Sequence, residues 1–281
     1  MDMDFRARVV HGENLAVLRS IPDGVANLIY IDPPFNTGKV QARTQVRTER
    51  NEIGDRTGFQ GQRYATEVIG TKAFEDAFDD FLAFLKPRLE EAYRVLATDG
   101  TLYFHIDYRE VHYCKVLLDS IFGRESFLNE IIWAYDYGGR PKNRWPAKHD
   151  NILVYVKDPG NYTFNQEDID RIPYMAPGLV GKEKAEKGKL PTDTWWHTIV
   201  SPTGKEKTGY PTQKPVGILR RIVQASSNPD DLVLDFFAGS GTTGAAALEL
   251  GRRCLLIDNN PEAIEVMKAR FSELKIEYIF D

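Results

Sequence analysis

The sequence predicts a doubly wound α/β fold on a mostly parallel sheet. Three observations predict it. Short, continuously apolar runs alternate with stretches of helical period. Several runs are apolar at every position, as strands covered on both faces must be. A glycine-rich turn joins one run to a helix of small residues.

The apolar runs are Asn27–Ile31, Thr101–Ile106, Glu130–Tyr135, Ile152–Val156, Leu232–Phe236 and Cys254–Ile257. Each has strand length and ends at turn residues or charge. Between them, Phe78–Leu96 places Phe78, Phe81, Leu82, Leu85, Leu89, Ala92, Tyr93 and Leu96 on one helical stripe. Arg109–Phe122, Val216–Ala225, Thr242–Leu250 and Pro261–Leu274 are further helices, the last opening on a proline suited to a first turn. Two segments break the alternation. Residues 39–72 are polar and basic and read as an inserted loop. Residues 159–211 carry scattered Pro and Gly and the Trp195-Trp196-His197 triplet. Loops of this length inside a compact domain usually either serve function or are disordered. The whole, residues 1–281, reads as one domain with these insertions.

Hydrophobic residues make up 42% and charged residues 27%, and no apolar run approaches the length of a membrane span. The charged N-terminus lacks the apolar stretch of a secretory signal, so cytoplasm is expected. Cys114 and Cys254 lie in apolar periodic segments and read as core residues of a reducing compartment. His105 and His112 fall on separate elements without ligand spacing, so no metal is expected. The net charge of −5 disfavours a nucleic-acid partner only in total. Locally, residues 138–149 hold Arg140, Lys142, Arg144 and Lys148 and no acid, and 39–72 is rich in Lys and Arg.

The strongest local signal is Leu232–Asn259. A strand runs into Asp235-Phe236-Phe237-Ala238-Gly239-Ser240-Gly241-Thr242, a helix follows, and a second strand ends at Asp258. Glycines at that turn allow a ligand close to the backbone, the helix start offers free N–H groups, and the strand-end acid can hold ribose hydroxyls. Gly239, Gly241 and Gly244 also fit the dinucleotide fingerprint, so a nicotinamide enzyme is a competing reading. Only one helix and one strand can follow Asp258. The rest of the sheet must come from upstream, which is a permuted order.

A second signal is Asp32-Pro33-Pro34-Phe35 at the end of a buried strand. The prolines fix the backbone and remove neighbouring donors, leaving an acid, a rigid carbonyl and an aromatic at the carboxyl edge of the sheet.

Together with Thr212-Gln213-Lys214-Pro215, these motifs resemble the DNA amino-methyltransferases of the beta order, in which the catalytic motif precedes the cofactor motif. Phe35-Asn36-Thr37-Gly38 resembles the modification subunits of type III restriction systems and their solitary relatives. The resemblance implies the fold of S-adenosylmethionine-dependent methyltransferases and transfer of methyl from that cofactor to an exocyclic amino group of a flipped base. An aspartate heading the motif favours adenine N6, with cytosine N4 the alternative.

Residue by residue, the resemblance implies that Asp32, Pro33, Pro34 and Phe35 carry the chemistry. Asp32, Thr212, Lys214, Pro215, Asp235, Phe237, Ala238, Gly239, Ser240, Gly241, Thr242, Asp258 and Asn259 would form the cofactor site, with Glu13 or Asn14 near the adenine ring. Lys39, Arg43, Arg140, Lys142, Arg144, Trp145 and Lys148 would meet double-stranded DNA, and 159–211 would read the target. A homodimer and a cognate restriction enzyme are further partners that the resemblance brings in.

Overall fold

The computed structural model describes residues 1–36, 80–201 and 204–280 in full, and the backbone strands at 39–50, 56–57 and 63–76. The chain forms two compact units, one of residues 1–33 and 82–281, the other of residues 34–81.

The large unit holds nine strands. These are β1 (Ala7–His11), β2 (Ala26–Ile31), β6 (Leu96–Ile106), β7 (Phe127–Ala134), β8 (His149–Val156), β9 (Thr194–Trp196), β10 (Leu232–Asp235), β11 (Arg253–Asp258) and β12 (Glu277–Phe280). Their order across the sheet is β12-β1-β11-β10-β2-β6-β8-β7-β9. β8 alone runs against the rest. In this order the late strands β11 and β10 lie between β1 and β2 of the N-terminal part of the chain. β10 leads outward to β11 on one side, and β2 leads to β6 on the other, so the order of succession across the sheet reverses between the parallel strands β10 and β2. The crevice beyond the carboxyl ends of such a pair is where open α/β sheets bind ligands.

The helices are α1 (Asn14–Ser20), α2 (Phe81–Val95), α3 (Val111–Phe122), α4 (Lys182–Lys187), α5 (Val216–Ser226), α6 (Thr242–Glu249) and α7 (Pro261–Arg270). One face of the sheet, with Val9, Leu28, Tyr30, Tyr103, Val233 and Leu256, packs on Ile218, Leu219 and Ile222 of α5, Ala246 and Ala247 of α6, and Ile264 and Met267 of α7. Leu85, Leu89 and Ala92 of α2 and Cys114 and Leu118 of α3 are also buried. Both cysteines are free and buried, and burial first of all pushes each thiol up to about 12.

The small unit corrects the reading of 39–72 as a loop. It carries a three-stranded antiparallel sheet of β3 (Lys39–Arg50), β4 (Arg56–Thr57) and β5 (Arg63–Asp76), in the order β3-β5-β4. Val40, Ala42, Thr44, Val46 and Thr48 alternate with polar residues, a period-two pattern that is hard to read when its apolar members are small. Residues 159–211 also carry structure. Ile172 and Lys189 bridge, and β9 joins the main sheet beside β7, burying Trp195. Among the described residues no helix is long and apolar enough to cross a membrane.

Candidate active site

Three carboxylates gather at the carboxyl edge, at the ends of adjacent strands. Asp32 follows β2, Asp235 ends β10 and Asp258 ends β11. Each is held differently. Asp235 is buried and accepts from Thr243 Oγ1 at 2.6 Å and the Phe237 N–H at 3.0 Å. Burial, opposed by these bonds and aided by the Asp32 and Asp258 charges, pushes its carboxyl up to about 7. Asp258 receives the Gly239 N–H on one oxygen at 2.7 Å and the Asn260 N–H on the other at 2.8 Å. Burial raises its carboxyl too, against those bonds.

Asp32 is different. One oxygen, Oδ2, pairs with Lys214 Nζ at 2.6 Å. The other, Oδ1, is buried and meets no hydrogen-bond donor among the described residues. An unpaired buried acceptor costs free energy unless a ligand completes it. Lys214, expected from the sequence at the cofactor, turns its ammonium onto the motif aspartate.

At each glycine of the loop the space that a Cβ would fill is bounded by protein side chains. A Cβ on Gly239 would lie 3.1 Å from the Tyr210 ring, which covers the loop. Burial, with the Asp258 charge beside it, raises the Tyr210 phenol well above its ordinary value. Gly241 has φ +72° and caps α6, and a Cβ there would meet Met267 Cγ at 2.8 Å. Its constraint is the helix interior, not a ligand. The Thr242 hydroxyl is likewise turned to protein, bonded to Ser240 Oγ at 3.0 Å and Arg270 Nη1 at 2.9 Å. Ala238 is tied to β11 by its N–H on the Ile257 carbonyl at 3.1 Å. Phe237 is half-buried beside Phe84, with ring centres 6.2 Å apart. Thr212 and Asn259 are exposed, and Pro215 is buried at the start of α5.

Glu13 and Asn14 serve the scaffold. Glu13 caps α1 by accepting the Ala16 N–H at 2.9 Å and pairs with Arg88 at 2.6 Å. Asn14 donates to the Phe236 carbonyl at 2.9 Å and accepts from Arg88 Nε at 2.7 Å. Sequence reasoning missed Arg88, Tyr210 and Arg270. It also missed a buried chain behind Asp32, formed by Tyr30, His105, Asp150 and Tyr135. The available signal was polarity inside apolar strands, and Tyr30, two residues before Asp32, shares its face by strand alternation.

In the 136–148 loop, Lys142, Arg144 and Trp145 are exposed, the last at 95%. Arg140 pairs with Asp136 at 2.8 Å. Lys148 turns inward, donating to the carbonyls of Tyr137 and Gly138 at 2.5 and 2.8 Å, and so braces the loop. Phe35 is the second residue of the small unit, which begins at Pro34. The side chains of Lys39 and Arg43, and residues 37–38, lie outside the described residues.

A reversed-order α/β sheet with an acid-and-proline motif at its switch point defines an enzyme that works on a ligand across that crevice. The profile of the N6/N4 type of DNA methylase matches residues 26–269. The chain is 32% identical to DNA adenine methyltransferase YhdJ of Escherichia coli K12, over 92% of this chain and 80% of that protein. It is 30% identical to the type II methyltransferase M.HpaI of Haemophilus parainfluenzae, over 94% and 73%. Among solved structures, a putative DNA modification methylase of Thermus thermophilus complexed with S-adenosyl-L-methionine aligns with TM-score 0.62 at 22% identity, covering 98% of each chain. The cytosine-N4-specific PvuII DNA methyltransferase aligns with TM-score 0.65 at 15% identity, covering 95% of this chain and 86% of that one. The chain belongs to the N6/N4 DNA methylase family. Family membership removes the nicotinamide enzyme as a reading of the glycine loop.

Proposed function

We propose that the protein transfers a methyl group from S-adenosyl-L-methionine to adenine N6 of double-stranded DNA in the cytoplasm. The observation that carries this reading is the Asp32 carboxylate at the switch point, one oxygen held by Lys214 and the other buried and open to a donor. A base amino group supplies that donor.

The cofactor fits the other half of the site. Asp258, fixed by two backbone N–H groups, presents its remaining lone pairs to ribose hydroxyls. Phe237, Ala238 and Gly239 offer an aromatic edge and close backbone, and Asp235 gives a carboxyl beside a cationic ligand. Thr212, Lys214 and Pro215 close the pocket ahead of α5, with Asn259 at its rim. Ser240, Gly241 and Thr242 shape the loop from behind. When bound, the cofactor supplies an electrophilic methyl on a sulfonium.

The target base must leave the duplex, at a cost of a few kcal/mol. Stacking on Phe35 recovers about 1–3 kcal/mol of that. Asp32 Oδ1 and the Pro33 carbonyl accept the two amino hydrogens. That draws the nitrogen lone pair out of conjugation and toward the methyl group, while Pro34 keeps the strand end rigid. The nitrogen becomes cationic as it gains the methyl, and the carboxylate charge favours that state. Both cysteines are buried with raised thiols, which leaves no thiolate for attack on a ring carbon.

DNA contact is assigned to Lys142, Arg144 and Trp145, with Arg140 joining after release from Asp136. Lys39 and Arg43, which follow the catalytic motif in the chain, are assigned to DNA by their charge, and Lys148 acts through the loop it braces. Residues 159–211 read the target sequence. Asp32 at the head of the motif and the adenine enzyme among the relatives favour adenine over cytosine. Mass spectrometry of nucleosides from DNA treated with the protein and cofactor tests this. N6-methyladenine is expected. N4-methylcytosine alone overturns the choice of base, and 5-methylcytosine overturns amino transfer.

A further inference from the structure

A cavity of about 160 Å³ lies on the α5 face of the sheet, behind the 159–211 segment. A cavity of roughly 150 Å³ holds a benzene ring, so this one suits a small ring with one substituent. Ile131 of β7, Val154 of β8, Ile169 and Trp195 line it, and all four are buried. Tyr162 and Phe164 line it too and are exposed, which leaves it open to solvent on their side. α5 has 11 residues and so runs about 16 Å, from its start after Lys214 and Pro215 to Ser226 in the cavity lining. The methyl-transfer residues lie at the other end of that helix.

Two polar groups in this lining have donors without acceptors. The first is Arg221. Its Cζ lies 4.8 Å from the centre of the Trp195 ring. The ring attracts the charge but is no conventional acceptor for the five N–H groups. Arg221 is half-buried, and among the described residues it makes no hydrogen bond and no ion pair, whereas its neighbour Arg220 pairs with Glu249 at 2.8 Å. Burial pushes the Arg221 guanidinium below its ordinary value, opposed by the charge of the exposed Asp170. The second is a hydroxyl pair. Tyr103 Oη and Ser226 Oγ are 2.8 Å apart, and the two residues are 4% and 2% exposed. Burial pushes the Tyr103 phenol up to about 12, so it keeps its proton. The pair holds two O–H hydrogens and one bond between them uses one. The other meets no acceptor among the described residues, whichever hydroxyl donates.

We propose that this cavity binds a small aromatic carboxylate, with its ring among the apolar walls and its carboxylate on the Arg221 guanidinium. A planar carboxylate matches the guanidinium fork. A neutral ring would leave the charge unpaired, and a cationic one would meet it with like charge. The hydroxyl pair supplies a second donor. Asp193 also lines the cavity, but it is exposed, so solvent screens its repulsion. A ligand held there ties Ile169 and Trp195 of the 159–211 segment to α5. The proposal stands apart from the reading of Asp32.

The test is a nuclear magnetic resonance titration of the whole protein with sodium benzoate, against sodium chloride at equal ionic strength. S-adenosyl-L-methionine is present at saturation to keep the cofactor site filled. The indole N–H signals of the tryptophans are followed, and benzamide serves as a neutral ligand of the same shape. The Trp195 signal should shift and saturate with a Kd of about 5 mM or below, while that of the 95%-exposed Trp145 stays in place. Benzamide should bind about tenfold more weakly or worse, the loss of a charge-assisted hydrogen bond. Arg221→Met keeps an apolar stem and removes the donors. It should weaken benzoate by about tenfold or more and leave benzamide unchanged. A Trp195 signal that does not saturate by about 20 mM benzoate overturns the site. Equal affinities for benzoate and benzamide overturn the choice of a carboxylate, as does an unchanged benzoate affinity in Arg221→Met. If that variant shows no cooperative melt, the comparison of the two ligands on the parent protein decides.

Discussion

At Asp235 a carboxyl pushed up to about 7 sits within the cofactor half of the site. A raised carboxyl means that the folded state binds its proton more tightly than the unfolded state does. Folding stability therefore falls as pH rises from about 4 through about 7, and the contribution is largest below the unfolded value. Asp235→Asn should remove this part of the slope. Denaturant melts of both proteins between pH 5 and 8 check it, and parallel curves would contradict it. A cationic ligand beside Asp235 should also favour its ionised form. Binding of S-adenosyl-L-methionine near pH 7 should thus release protons, seen as a dependence of the calorimetric heat on buffer ionisation enthalpy. Asp235→Asn should reduce that release. Asp32, Asp235 and Asp258 were legible in the sequence because each closes an apolar strand run, Asp32 directly before two prolines and Asp235 four residues before the first glycine of the loop. The Lys214 grip on Asp32 was not, because it joins positions 182 residues apart. The Tyr30–His105–Asp150 chain was hidden for the same reason.

The turn between β10 and α6 shows how one element combines packing and binding. Gly241 carries φ +72°, and its missing Cβ leaves room for Met267 and Phe271 of the α7 region. Gly241→Val adds a β-branched residue at positive φ and overpacks that contact. A loss of about 2–4 kcal/mol in stability is expected, from backbone strain and overpacking together. Denaturant unfolding measures it, and an unchanged midpoint would show that the packing argument is wrong. The 136–148 loop is an element of the opposite kind, exposed and basic. Replacing Arg140, Lys142 and Arg144 with Ala should weaken DNA binding and flatten its dependence on salt, because fewer counterions are released. Cofactor affinity should not move.

The elements that sequence pattern identified are those with continuously apolar or amphipathic runs: β2, β6, β7, β8, β10 and β11, with α2, α3, α5, α6 and α7. Those it missed lie at edges or carry charge. β1 includes Arg8, whose buried guanidinium pairs with Glu277 of β12 at 2.6 Å, so neither strand reads as continuously apolar. β9 has three residues and joins the sheet only through pairing with β7.

For the molecule as a whole, the large unit holds the nine-stranded sheet, with its strands paired from β12 to β9 and, among the described residues, none of them drawn from 34–81. Its core should therefore form without the small unit. Replacing residues 37–79 with a Gly/Ser linker should leave a cooperative melt and cofactor affinity within a few-fold of the parent, as read by calorimetry. Loss of the folded sheet would show that the two units fold as one. The net charge of −5 belongs to this whole and gave little guide to a DNA partner, whose expected contacts rest on local clusters of Lys and Arg.

The account turns on the Asp32 carboxylate as the group that accepts the target amino hydrogens and supports the cationic product. Single-turnover methyl transfer to DNA by Asp32→Asn, compared with the parent at saturating cofactor, tests this most directly. The amide keeps the size of the side chain and can still accept one hydrogen bond, but it carries no charge. A rate lower by about 10²–10³ is predicted, with DNA affinity preserved because phosphate contacts lie elsewhere. Transfer at the parent rate would contradict the account.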